Sequence, residues 1–384
     1  MLEIILKILA SAILIVNIGC FHNQHEVFYE QSEDIEGKNI IIFVPGYKGS
    51  TLVNNRDEVV WLSANEILFG ESSVTIDNEF ELTARDLLKK VKILPHLYEI
   101  DIYEECLERL ENRLSKEEKL ILFPYDWRKS NIETSETLLK FLDNLSKQKP
   151  KSISIISHSM GGLSVAYLLA NSQIDYLDKA VFLGTPFRGT LKAFLDMSRP
   201  IEPILFNYRL FNRDSFISFG SAFELFPHPD DSSFYDSNLK NRDIIYNSKN
   251  WKDFRWGIYQ TDLNADQKSL DITLRNTLLF YNTLDNSETT CPTTRILNLT
   301  GSKLSVLSEA SFNRMKVRPL PSNASHSYLN QEGDILVSLK SAELPISLRQ
   351  CKHTEEIIPE IIHDRFCNYD NVINRIFDFL LSDK

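Results

Sequence analysis

The chain has little of what metal sites and nucleic-acid surfaces are built from. Only five cysteines occur in 384 residues, and none stands in the Cys-x-x-Cys or mixed Cys/His spacing that gathers ligands around zinc. Metal chemistry is not indicated, and no cofactor is expected. Lysine and arginine form no cluster, and the formal net charge is −11. A chain of that sign is not drawn to phosphate backbones or anionic bilayers, which argues against nucleic acid as a partner. The apolar run nearest the N-terminus, Ile8 to Ile18, is too short to span a bilayer. Internal repeats and low-complexity segments are also missing.

What is present is the balance of an ordinary globular protein, with 43% hydrophobic and 25% charged residues. One large sheet with an inserted cap fits this length better than independent modules. Four short apolar runs without alternation, Ile40 to Val44, Leu120 to Phe123, Ile153 to Ile156 and Ala180 to Leu183, suit strands buried on both faces of a parallel sheet. Helical stretches alternate with them, at Tyr98 to Arg113, Ser135 to Leu145 and Gly161 to Ala170. The expectation is an α/β fold, with residues 39–190 as the first part of the core. From Leu191 to Pro292 the period breaks and aromatics accumulate (Phe194, Phe206, Tyr208, Phe211, Phe216, Phe219, Phe223), which reads as a cap insertion. Residues 293–384 resume the core, with strands at Arg295 to Thr300 and Ile335 to Leu339. A final helix carries Val372, Ile373, Ile376, Phe377 and Leu380 on one face.

Residues 1–20 read as a signal peptide: Lys7, the apolar run, then Gly19-Cys20. The end of this segment resembles the bacterial lipoprotein pattern, in which Cys20 becomes the acylated first residue of the mature chain. An uncleaved anchor or a buried first strand are the alternatives. Residues 21–38 are mostly polar and read as a tether. Export to the periplasm or cell surface would permit disulfides among Cys106, Cys291, Cys351 and Cys367, whose three possible pairings stay open.

The sharpest chemical signal is Ile153-Ser-Ile-Ile-Ser-His-Ser-Met-Gly-Gly-Leu163, a β-branched strand, a tight turn at Ser159 and a helix-forming stretch. Such a nucleophile elbow needs small residues two before and two after the serine; Ser157 and Gly161 occupy those places. The bland alternative is a serine that caps the following helix. Acyl transfer builds negative charge on a carbonyl oxygen, and two backbone amides must meet it. The loop Phe43-Val-Pro-Gly-Tyr-Lys-Gly-Ser-Thr-Leu52 offers the amide of Tyr47, and Met160, next after the serine, offers the other. An acid and a base follow in the chain order of α/β-hydrolases. Asp334, at the start of the run Ile335 to Leu339, is the candidate acid. His363, in a loop after the last strand and ahead of the final helix, is preferred over His353 as base. His326 is a weaker candidate, and His158 is expected to be structural.

These segments, with Leu122-Phe-Pro-Tyr-Asp-Trp-Arg128 and Phe182-Leu-Gly-Thr-Pro-Phe-Arg-Gly189, resemble the lecithin:cholesterol acyltransferase family. Val60-Trp61 is similar to its tryptophan-bearing lid segment, so the resemblance makes Trp61 a substrate or lid residue. Ser221-Ala-Phe-Glu-Leu-Phe-Pro227 resembles its cap motif, and His363-Asp-Arg-Phe366 its histidine motif. Gly333-Asp-Ile-Leu-Val-Ser-Leu-Lys-Ser341 is similar to its acid motif but carries Ile335 and Leu336 where the family has Gly-Thr. The resemblance implies an α/β-hydrolase fold with a mostly parallel sheet, a lid, and a Ser159–Asp334–His363 triad acting on lipid acyl esters at a membrane or lipid interface. Hydrolysis is favoured over transfer to an alcohol, because it needs no second site. A non-catalytic surface lipoprotein and a serine hydrolase of soluble esters or peptides are the competing readings. For Tyr125 to Arg128 an Asp–Arg pair bracing the sheet edge is favoured over substrate contact. The cap aromatics divide between a small core of their own and an acyl-chain groove.

Overall fold

The computed structural model describes residues 35–62, 74, 76, 81–94, 98–198, 218–231, 234–235, 244–260, 266–286, 293–307, 310–313, 316–319 and 330–382. The leader, Cys20, Cys291, His326 and the cap aromatics Phe206, Tyr208, Phe211 and Phe216 lie outside them. Asp34–Lys384 forms one compact unit.

The centre is a six-stranded sheet of β1 (Asn39–Val44), β2 (Glu118–Leu122), β3 (Ser152–His158), β4 (Leu177–Leu183), β5 (Arg295–Ser302) and β6 (His353–Pro359), in the order β6-β5-β4-β3-β1-β2. Every neighbouring pair is parallel, with Ile41 opposite Leu120 on one side and Ser154 on the other. The run of β-branched residues in β1 has a direct packing reason. Ile40, Ile42 and Val44 point into one apolar cluster, while Ile41 and Phe43 point into another on the opposite face. Helices α2 (Asn131–Ser146), α3 (Met160–Asn171) and α4 (Gln267–Leu284) contribute to the first cluster. The second is closed by α1 (Glu104–Glu111) and by α5 (Asp370–Leu381), which supplies Val372, Ile373, Ile376 and Phe377.

Three elements differ from the sequence reading. The stretch from Tyr98 divides into a strand, Tyr98–Asp101, paired with Lys90–Leu94, and only then the helix α1. Helix α2 begins four residues ahead of Ser135, because the Ser130 side chain accepts a hydrogen bond from the Ile132 amide and caps it. Ile335 to Leu339 is not a strand. Asp334 follows the strand Asn330–Gly333, and its Oδ1 accepts from the amides of Leu336 (3.1 Å) and Val337 (2.7 Å), folding the chain into a turn. The last strand of the sheet is β6, whose polar sequence fits its place at the sheet edge.

Phe194, Phe219 and Phe223 are fully buried. Phe194 and Phe223 form a set of edge-to-face and stacked rings with Phe226, Trp251 and Trp256, and Phe219 packs edge-on against Trp127, so the described cap aromatics make a core rather than an open groove. That core is continuous with the first apolar cluster of the sheet.

Candidate active site

The strand order reverses between β1 and β3, and the loops leaving the carboxyl ends of these neighbours meet there. The turn from β3 into α3 holds Ser159 at φ 52°, ψ −126°, a conformation that costs on the order of 1–3 kcal/mol. Gly161 is required: a Cβ there would lie 2.2 Å from the Pro45 carbonyl oxygen. Ser157 fits the tight turn by turning its hydroxyl onto the Val181 carbonyl at 3.0 Å. Although Ser159 precedes the helix, its side chain makes no capping bond. Its hydroxyl lies 2.8 Å from His363 Nε2 instead.

His363 opens the 3-10 turn His363–Asn368 just beyond β6, and its Nδ1 lies 2.7 Å from Asp334 Oδ2. A carboxylate only accepts, so Nδ1 carries the proton and Nε2 presents its lone pair to the serine hydroxyl. All three side chains are buried. Burial by itself lowers the basicity of His363, but the charge and hydrogen bond of Asp334 outweigh it and raise the pKa above the ordinary histidine value. The turn after Asp334 contributes here too, since the His363 amide donates to the Asp334 carbonyl at 3.1 Å. His353 stands at the start of β6, with Nδ1 near the Cys351 carbonyl, and takes no part.

His158 and Tyr103 do more than sequence reading suggests. The Gly46 amide donates to the Tyr103 hydroxyl (2.8 Å), which donates to His158 Nδ1 (2.7 Å), whose Nε2 then donates to the His363 carbonyl (3.0 Å). One relay of hydrogen bonds thus joins the loop after β1 to the backbone of His363. Burial and the neighbouring His363 push the His158 pKa down to about 3, so this ring is neutral. No local sequence signal marks Tyr103, which lies 55 residues from its partner.

The loop after β1 is braced from outside. Tyr125 donates its hydroxyl to the Pro45 carbonyl at 3.0 Å, and Trp127 Nε1 donates to the Ser50 carbonyl at 3.1 Å. Trp61 is buried against Trp127 and donates Nε1 to the Lys48 carbonyl at 3.1 Å. Asp126 and Arg128 form a buried pair at 2.6 Å, so Tyr125 to Arg128 support the sheet edge. Tyr47, Trp61, Ser159 and His363 line one cavity of about 510 Å³. Met160, at the first position of α3, is buried beside the serine.

Among the described residues one further group has the spacing of a cation site: His228, Asp230 and Asp285, with ligand atoms within 4.8 Å of one another. Its chemistry does not suit a metal. His228 Nδ1 accepts from Arg188 Nη2 (3.0 Å) and the Asp230 amide (3.1 Å), which puts the ring proton on Nε2, 2.9 Å from the Asp285 carboxylate. A protonated nitrogen does not ligate, and the ring is held by Arg188 and the Asp230 amide instead.

A mostly parallel sheet with a strained serine at a strand-to-helix turn, and a histidine and an aspartate arriving from later loops, defines an α/β-hydrolase. The family can be named as well. The family model for lecithin:cholesterol acyltransferase matches residues 50–330, and the chain belongs to that family. Membership places it among enzymes that hydrolyse or transfer lipid acyl esters. The match includes Ser159 and stops short of Asp334 and His363, whose assignment rests on geometry. No curated protein matches the chain. Among solved structures it is similar to the Tle4–Tli4 complex, at 12% identity over 91% of this chain and 100% of that one, with a TM-score of 0.61. The lin2722 gene products from Listeria innocua align at 13% identity over 90% and 95% of the two chains, with a TM-score of 0.38. The mature lipase BlEst2 from Bacillus licheniformis aligns at 14% over 92% and 95%, with a TM-score of 0.36.

Proposed function

We propose that this chain is a serine hydrolase of lipid acyl esters that works through an acyl-enzyme on Ser159. The supporting observation is the buried line from Asp334 through His363 to Ser159, with contacts of 2.7 and 2.8 Å, opening on one cavity. His363 Nε2 takes the serine proton as Oγ bonds to the ester carbonyl carbon. The amides of Tyr47 and Met160 receive the oxyanion; neither donates to a protein acceptor among the described residues. When the ester C–O bond breaks, His363 returns the proton to the leaving alcohol. Water then repeats the sequence and frees the fatty acid. Asp334 holds the ring and stabilises its charged form. Hydrolysis is favoured over transfer because water needs no second site.

Two observations support a proposed place of action. The leader ends in Gly19-Cys20, and Cys106 and Cys367 form a disulfide, which persists in oxidising compartments. Both support an exported protein, anchored through Cys20 at the periplasmic or outer cell surface. The test is labelling by a fluorophosphonate beside a Ser159→Ala variant, with fatty-acid release from phosphatidylcholine vesicles. Label and release that both vanish in the variant are expected. A protein that neither labels nor releases fatty acid, with or without detergent, is a binding lipoprotein instead.

A further inference from the structure

Next to the catalytic cavity, the turns that carry the acid and the base also carry exposed apolar side chains. The hydrogen bond from the His363 amide to the Asp334 carbonyl, 3.1 Å, ties these turns together. Ile335 follows one partner of that bond in sequence and Ile362 precedes the other. Ile335 is 54% exposed and Ile362 41%. Leu336 continues from Ile335 into the cavity wall, and Ile100, 40% exposed, lines the same cavity from the strand Tyr98–Asp101.

Ile335 is the informative residue. Its φ is 86°, a region disfavoured for any side chain and most of all for a β-branched one. The turn needs the two amides that bond to Asp334 Oδ1, and a glycine would supply the same backbone without strain. An isoleucine held in strain with half of its surface in water gains little from the fold. Its contribution therefore lies in what it meets outside. The charges on the same cavity indicate what that is. Lys48 and Arg365 are balanced by Asp101 and Asp364, and the chain as a whole carries −11. Neither feature favours an anionic surface, whereas a zwitterionic one needs only apolar insertion.

We propose that Ile335, Ile362 and Ile100 form a lip that inserts into a zwitterionic lipid surface and sets the mouth of the Ser159 cavity against the acyl esters there. The proposal rests on the lipid-ester reading of the site. Its test uses the compact unit Asp34–Lys384, so that the apolar leader does not bind vesicles itself. Partition into phosphatidylcholine vesicles is measured by co-sedimentation for the parent, Ile335→Gly and Ile362→Ser, beside hydrolysis of a soluble monomeric short-chain ester. Each variant is expected to weaken partition by about tenfold. Soluble-ester turnover should hold, the melting temperature of Ile335→Gly should be no lower than the parent's, and 0.5 M salt should change partition little. Unchanged partition in both variants overturns the lip. So does an equal fall on the soluble ester, or a change in self-association without a change in partition, which would make the lip a dimer face. Weakened partition in a protein without esterase activity would uphold the lip while removing the catalytic reading.

Discussion

Ser159 is legible in the sequence because an elbow is local. Strand, turn and helix follow one another within eleven residues, and the small neighbours are forced by contacts as close as the one at Gly161. His363 is legible by its place before the terminal helix. The Tyr103–His158 relay is not, since it is assembled by the fold. It makes a residue-scale prediction. Tyr103→Phe leaves the Gly46 amide and His158 Nδ1 without their partner, loosening the loop after β1 against His363. The expected result is a fall in kcat of about two- to tenfold per active site titrated by fluorophosphonate, with KM within twofold. If only the titratable fraction falls and kcat per site holds, Tyr103 is merely structural. The pH dependence has a definite sign. The base must be neutral, so kcat/KM should rise with pH through a single pKa above the ordinary histidine value, held there by Asp334 against the effect of burial. His158, with its pKa near 3, adds no second limb. Asp334→Asn should shift that limb to lower pH and cut kcat by about 10³–10⁴. An unshifted limb would mean that Asp334 does not set the histidine.

At the scale of elements, the strands of the sheet centre are readable because both faces are buried and the runs are apolar without alternation. The edge strand β6 lacks that signal, as His-Thr-Glu-Glu faces mostly water. The turn at Asp334 imitates a strand in sequence, since Ile335-Leu-Val337 is an apolar run whose backbone is diverted by one carboxylate. The disulfide between Cys106 in α1 and Cys367 in the turn of His363 spans 261 residues of chain, and spacing alone left its pairing open. Cys351 is disulfide-bonded as well. The Cys106–Cys367 bridge ties the helix after Tyr103 to the segment after His363, two members of the relay. Replacing both cysteines by serine should lower stability by about 2–5 kcal/mol and depress kcat more than KM. Scanning calorimetry and steady-state kinetics read the two effects separately. A stability loss with kcat unchanged would show that packing alone positions His363.

For the whole molecule, the cap and the sheet form one body through a buried carboxylate that no reading of the sequence weighs. Glu224, at the end of the short helix Gly220–Phe223, accepts from Ser130 Oγ (2.5 Å) and from the Asn131 amide and side chain (2.6 and 2.8 Å). It therefore closes the N-terminus of α2, a helix of the core, from the cap. Tyr281 of α4 donates to the Glu224 and Phe226 carbonyls and holds the same segment from behind. Burial raises the Glu224 pKa to about 7 in spite of those donors. In the unfolded chain a glutamate titrates near 4.3. Between these values the folded protein binds more protons than the unfolded one, so stability should fall as pH rises from about 4.5 to about 7 and level off above. The order of magnitude is a few kcal/mol. Glu224→Gln removes the titration, and its melting temperature should lose that slope while falling at pH 5, because an amide donor then faces Ser130 and Asn131. An identical slope in parent and variant would place the pH dependence elsewhere. A slope that disappears would identify the carboxylate linking cap to core as a group through which pH sets how firmly the cap is held.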